Sequence, residues 1–142
     1  MSSKQNKGIV RHRVEEIFNK KNLDYIDVFY ASDVVDHSAP PGLPPGIEGY
    51  RLKIGSFVAA FPDLNISYED LISEGNKVSG RYTLTGTHQG DFAGIPPTGK
   101  QVKVSGMGIL RLKDDKIAEH WTEMDTLGMM QQLGVIPGSS AS

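Results

Sequence analysis

The chain has 142 residues, enough for one domain that buries roughly 68–70% of its unfolded surface. It has no cysteine, which excludes a disulfide framework, a thiolate zinc site and a thiol nucleophile. Its 15 Lys and Arg against 17 Asp and Glu leave a formal charge of −2, without the basic excess of a nucleic-acid binder. Apolar runs are too short to span a bilayer. The polar start MSSKQNKG lacks the apolar core of a secretory signal. The expectation is a cytoplasmic single-domain protein that binds neither nucleic acid nor membrane.

Val10, Val14, Ile17 and Phe18 fall at i, i+4, i+7 and i+8, one face of a helix, with Arg11, Arg13, Glu15, Glu16 and Lys20 on the rest. A break at Lys21-Asn22 precedes a second helix over Leu23 to Tyr30, with Ile26, Phe29 and Tyr30 inward. Asp33 to Ser38 reads as a short strand. Pro40-Pro41-Gly42-Leu43-Pro44-Pro45-Gly46 forbids regular structure and makes a stiff loop. Tyr50, Ile54, Phe57, Val58 and Phe61 mark a further helix, which Pro62-Asp63 ends.

From Leu64 the period becomes two. Leu64, Ile66 and Tyr68 alternate with polar residues, and Glu74-Gly75-Asn76 turns the chain. A long strand over Val78 to His88 follows, with Val78, Gly80, Tyr82 and Leu84 on one side. Gly90 to Lys100 is a Gly- and Pro-rich loop. Gln101 to Lys113 and Lys116 to Asp125 are antiparallel partners across Asp114-Asp115. Thr126 to Leu133 completes the order as a short helix capped by Gly134. Helices segregated from a strand meander define an α+β domain.

No phosphate loop, dinucleotide loop, nucleophile elbow or helical zinc motif is present. The histidines His12, His37, His88 and His120 are too scattered for a metal site. The segment that points to chemistry is Ile117-Ala118-Glu119-His120-Trp121-Thr122-Glu123-Met124-Asp125. Unbroken alternation puts Ile117, Glu119, Trp121, Glu123 and Asp125 on one face. A carboxylate held beside a Trp on a buried face loses hydration and gains basicity. Glu119 and Glu123 can equally serve as a solvated rim. Asp125, at the strand's end, is the candidate general acid/base.

Two hairpin registers are open. A two-residue Asp114-Asp115 turn sets Leu112, Leu110 and Gly108 beside the Trp121 face; one extra residue sets Met107, Ile109 and Arg111 there instead. His37, ahead of the Pro-rich loop, is a candidate proton relay at a pocket mouth. Phe57, Phe61, Phe29, Tyr25 and Tyr50 are candidates for its aromatic wall. His88 reads as structural, and Arg81 as lying outside.

The run Gly86-Thr87-His88-Gln89-Gly90-Asp91-Phe92-Ala93-Gly94-Ile95-Pro96-Pro97-Thr98-Gly99-Lys100, followed by Lys116 to Trp121, Asp125 and Gln132-Leu133-Gly134, resembles the SnoaL-like polyketide cyclase family. The likeness runs from about Ile9 to Pro137. It implies a nuclear-transport-factor-2-like cone: a curved, antiparallel-rich sheet with about three helices closing a pocket, as a single domain over 1–137. The small, polar residues 138–142 read as a disordered tail. In that family the acid of an E-x-W-x-x-x-D pattern is the general acid/base of an intramolecular aldol closure. Carried over, that acid is Asp125, with Glu119 and Trp121 as its companions. Where the family has polar residues on the preceding strand, this chain reads Met107-Gly108-Ile109-Leu110-Arg111.

The expected ligand is a small apolar or aromatic polyketide-like molecule touching Trp121, Arg111, Phe57, Phe61 and Tyr25. Asp125 and His37 are the expected catalytic groups, with no cofactor and no metal, because proton transfer at an activated carbon needs only a base and an enolate stabiliser. Non-catalytic binding of an apolar ligand, or an epoxide-hydrolase-like activity, are the alternatives. One helical layer covers only one sheet face, so a homodimer is expected through the other.

Overall fold

The computed structural model describes residues 2–137; the tail read as disordered, 138–142, lies outside them. The α1 helix (Ser3–Arg13) starts where the Ser2 side chain accepts from the Gln5 amide at 3.0 Å, which satisfies one of the first-turn donors. It runs into a wider π-helical segment over Val14–Asn19. Val10, Val14, Ile17 and Phe18 are all buried, so the apolar stripe continues through the change of helix type. At its end the Asn19 amide bonds both backbone groups of Ile66, at 3.0 and 2.8 Å.

The helix expected over Leu23 to Tyr30 is shorter than its pattern. A 3-10 turn at Leu23–Tyr25 leads into α2 (Ile26–Phe29), and Tyr30 already opens the first strand. A buried aromatic such as Tyr30 fits either a helix face or a pleat, and pairing with the sheet decides it. β1 (Tyr30–Asp36) precedes the Pro-rich loop, and α3 (Gly46–Ala60) follows it. Then come β2 (Asn65–Glu74), β3 (Lys77–Thr87), β4 (Gln101–Lys113), β5 (Lys116–Met124) and α4 (Thr126–Leu133).

The strands form one open sheet in the order β1-β5-β4-β3-β2. β1 runs parallel to β5 and all other neighbours are antiparallel. The α+β class and the antiparallel-rich sheet are therefore as the sequence implies, with four α-helices among the described residues rather than about three. No helix among the described residues is long and apolar enough to cross a membrane.

The β4–β5 hairpin combines features of both registers left open by the sequence. Asp114 and Asp115 have φ of 52° and 64°, the left-handed pair of a two-residue hairpin turn, and Lys113 faces Lys116. The register then slips by one residue at Ala118, so Arg111 faces Glu119 and Ile109 faces Trp121. A bulge reverses the sidedness of everything beyond it. Ile117 stays buried against the core, whereas Glu119 and Trp121 turn to the opposite face and Glu123 lies exposed at the rim. His120 and Thr122 turn inward in their place. The single face proposed for Ile117 through Asp125 is thus split by the bulge.

Candidate functional site: a cavity between the helices and the sheet

Between α1, α3 and the inner sheet face lies a cavity of about 360 Å³, within the size range of small-molecule sites. Two strand glycines make room for its aromatic lining. A Cβ at Gly80 would sit 2.5 Å from the Tyr68 ring, and one at Gly106 would sit 2.3 Å from the Tyr82 ring. Tyr68 and Tyr82 occupy those spaces edge to face, with centroids 6.2 Å apart. Phe57, Leu84 and Leu110 complete much of the apolar wall.

At one part of the lining His37 projects from the end of β1. Its Nε2–H donates to Glu119 Oε2 at 2.6 Å, and Arg111 Nε donates to Glu119 Oε1 at 2.9 Å. The carboxylate sets the neutral imidazole tautomer, with the proton on Nε2 and the lone pair on Nδ1. The ring lies flat on Trp121, centroids 4.8 Å apart and planes 3° apart. The bonds from His37 and Arg111 hold the Glu119 carboxyl below its ordinary range. Next to His37, Ser38 Oγ donates to the Thr122 carbonyl at 2.7 Å and accepts from the Thr122 amide at 2.8 Å. Thr122 Oγ1 lies 3.0 Å from the Tyr82 hydroxyl. Burial raises the Tyr82 pKa, so its phenol stays protonated near neutral pH.

A second polar group is built on α1. Arg13 is 4% exposed. Its Nε donates to the Tyr30 hydroxyl at 2.6 Å and its Nη1 to the Tyr68 hydroxyl at 3.1 Å. Tyr30 and Tyr50 hydroxyls are 2.5 Å apart. A guanidinium only donates, so the hydrogen of the buried Tyr30 hydroxyl goes to Tyr50. The Tyr50 hydrogen is then left for an acceptor in the cavity that Tyr50 lines. Burial raises both phenol pKa values, which keeps them as donors. Burial alone would lower the Arg13 pKa, but the phenolic oxygens of Tyr30, Tyr68 and Tyr50 outweigh it and hold it above the usual arginine value.

His120, also in the lining, is 7% exposed and its Nδ1 is buried without a partner. Burial, then the charges of Arg13 and Lys53, push its pKa well below the ordinary histidine value. It is neutral at physiological pH. Lys53 is itself paired with Asp36 at 2.7 Å.

A family model for the SnoaL-like polyketide cyclases matches residues 8–133. The chain belongs to the SnoaL-like polyketide cyclase family. Among curated relatives, the aklanonic acid methyl ester cyclase DnrD of Streptomyces peucetius is 35% identical over 86% of this chain and 86% of its own length. The nogalonic acid methyl ester cyclase of Streptomyces nogalater is 28% identical over 82% and 89%. Among solved structures, TsrD of Streptomyces laurentii matches with a TM-score of 0.87 at 29% identity, covering 96% of this chain and 99% of that one. IdmH of Streptomyces antibioticus matches at 0.79 and 33%, covering 92% and 99%.

Of the residues the sequence nominates in this SnoaL-like chain, His37, Tyr50 and Phe57 line the cavity, whereas Phe29 is buried in the core away from the lining. Phe61 is wholly buried behind it, stacked on His88 at 5.5 Å, and His88 Nδ1 meets Thr98 as a structural histidine would. Trp121 and Arg111 are on the opposite sheet face, where they hold His37 and Glu119 rather than the cavity. Tyr25 is 42% exposed on its 3-10 turn, away from the lining. Asp125 is exposed and caps α4, its Oδ1 accepting from the Gly128 amide at 2.9 Å. Arg111 pairs with Glu119, not with Asp125. Arg81 is outside, paired with Asp70 at 2.8 Å.

Arg13, Tyr68, Tyr82, His120 and Thr122 are cavity residues that sequence reasoning did not nominate. For Arg13 the signal was readable. It falls three residues after Val10 and four before Ile17, so the helical period puts a charge inside the apolar stripe. His120 carried no such signal, because its sidedness depends on the Ala118 bulge.

Proposed function

We propose that the protein is a cofactor-independent cyclase that closes a carbon–carbon ring in a polyketide-like small molecule by an intramolecular aldol reaction. The observation that carries this reading is His37, a cavity-lining imidazole whose tautomer Glu119 sets across a 2.6 Å bond, in a chain whose curated relatives are polyketide cyclases. His37 Nδ1 accepts the proton from a carbon between two carbonyls. The resulting enolate carbon attacks a second carbonyl of the same molecule, and that oxygen takes the proton back from His37 as a hydroxyl. One carbon–carbon bond forms and no atom is gained or lost. The Tyr82 hydroxyl is the neutral donor for the enolate oxygen, and Phe57, Leu84 and Leu110 keep water from it.

This reading moves the acid/base role from Asp125 to His37 and leaves Asp125 as a helix cap. With nogalonic acid and its methyl ester each offered as substrate, His37→Gln should lower kcat on the one turned over by about 10²–10⁴-fold, while Asp125→Asn, which still caps, stays within about twofold. Full activity in His37→Gln would sink the assignment.

Non-catalytic binding is the second reading. One observation favours it: the cavity-lining carboxylate, Glu123, is an exposed rim residue. Thermal stabilisation of the wild-type protein by either compound with no ring closure would select that reading.

The proposal includes a homodimer through the outer sheet face. Its support is the exposure of Met107 and Ile109, at 58% and 40%, on a face that none of the helices covers.

A further inference from the structure

Arg13 is the one buried cation of the cavity lining that pairs with no carboxylate among the described residues. Lys53 has Asp36, and Arg111, on the other sheet face, has Glu119. Arg13 has only phenol oxygens, from Tyr30 and Tyr68, and the faces of Phe18 and Tyr30 at 5.4 and 5.9 Å from its guanidinium carbon. Ring faces and neutral hydroxyls offset part of the loss of hydration, but burying an ion without a counter-ion is among the costliest arrangements in a protein interior. Two of the five N–H groups of the guanidinium meet hydroxyls. The rest have no partner among the described residues, and Arg13 lines the cavity. Beside it Tyr50 has a hydrogen to give. These donors converge on one place in an otherwise apolar wall, and neutral His120 adjoins it without bringing a counter-charge, its ring centroid 6.4 Å from that of Tyr50.

We infer that Arg13 and Tyr50 form an anion subsite, and that the cavity takes an aromatic polyketide-like ligand with an ionised carboxylate rather than the corresponding neutral ester. This deepens the cyclase reading by naming the charge of its substrate, and rests on it only for the word substrate. The carboxylate completes the ion pair that α1 leaves half-made, with one oxygen on the guanidinium and the other on the Tyr50 hydroxyl. Charge-assisted bonds of this kind are the strong class. The reacting carbons then lie along the apolar wall that leads past Tyr68 and Tyr82 to Thr122 and His37.

Binding of 2-naphthoate and of its methyl ester, measured by calorimetry at pH 7.5, tests the inference without any turnover. In the wild-type protein the acid should bind roughly tenfold to a hundredfold more tightly than the ester. Arg13→Met should bring the two within about threefold, Arg13→Lys should keep part of the preference, and Tyr50→Phe should reduce it by a smaller factor. Equal binding of acid and ester by the wild-type protein, binding of neither, or a preference that survives Arg13→Met would each overturn the inference. Should Arg13→Met fail to give the wild-type circular dichroism spectrum, Tyr50→Phe decides: an undiminished preference for the acid then overturns the subsite. The two readings fail separately. A protein that closes no ring but prefers the acid loses the cyclase and keeps the subsite, and one that turns over without preferring the acid does the reverse.

Discussion

The two sides of the β4–β5 hairpin treat their polar residues in opposite ways. On the outer side Arg111 and Glu119 pair and together hold His37, a residue of the cavity lining at the end of β1, with Trp121 stacked against the imidazole. On the inner side His120 is more deeply buried and has a nitrogen with no partner. Outside, the polar groups form a closed network at the solvent boundary that orients a single useful atom, His37 Nδ1. Inside, burial has been accepted without compensation. Unpaired buried groups cost stability, and His120 carries that cost within the cavity wall.

Mutations that separate the two sides give the largest contrast. Leu110, 1% exposed on the inner side, should cost about 2–5 kcal/mol as Leu110→Ala, because the cavity left by it cannot refill. Ile109→Ala, next to it but on the outer side, should cost well under half of that in urea denaturation. Equal costs would mean that the outer face is as closely packed as the core.

The pH dependence of stability sharpens the comparison. His120 has its folded pKa depressed by burial, Arg13 and Lys53, and in the unfolded chain it takes up a proton below about 6.5. Below that pH the unfolded state binds more protons, so stability is fully present above about 6.5 and falls as the pH drops. The slope is at most about 1.4 kcal/mol per pH unit. Urea midpoints between pH 7 and 5 should show this slope in the wild-type protein and a flatter one in His120→Gln. An unchanged slope would place the titrating group elsewhere. The smallest effect on the fold itself belongs to Ile109→Asp. It should leave the circular dichroism spectrum unchanged and convert a two-chain particle to a single chain in light scattering. A wild-type particle of one chain would remove the dimer.

The order of elements was legible in the sequence because hydrophobic periodicity and turn chemistry are local. The β4 range, the Asp114-Asp115 turn and the α4 helix with its Gly134 cap stand where alternation, acidic turn residues and a C-terminal glycine put them. The family, too, was legible, in the Gly86 to Lys100 run. The candidate site was legible only in part. His37, Tyr50 and Phe57 line the cavity, but the E-x-W segment is displaced from it by one residue of bulge. A single inserted residue is invisible to a period-two reading and reverses every side chain beyond it.

What the sequence by itself determined is therefore the α+β order and the family, since both reside in contiguous residues. Which face each β5 side chain takes was decided by tertiary structure, through the register slip at Ala118. So was the fate of Arg13. Its position on the apolar stripe is written in the chain, but its lack of a carboxylate depends on Asp36 going to Lys53 and Glu119 to Arg111, across elements far apart in sequence. Charge pairing over such separations is a property of the packed molecule, and so is the unfilled valence it leaves in the cavity wall.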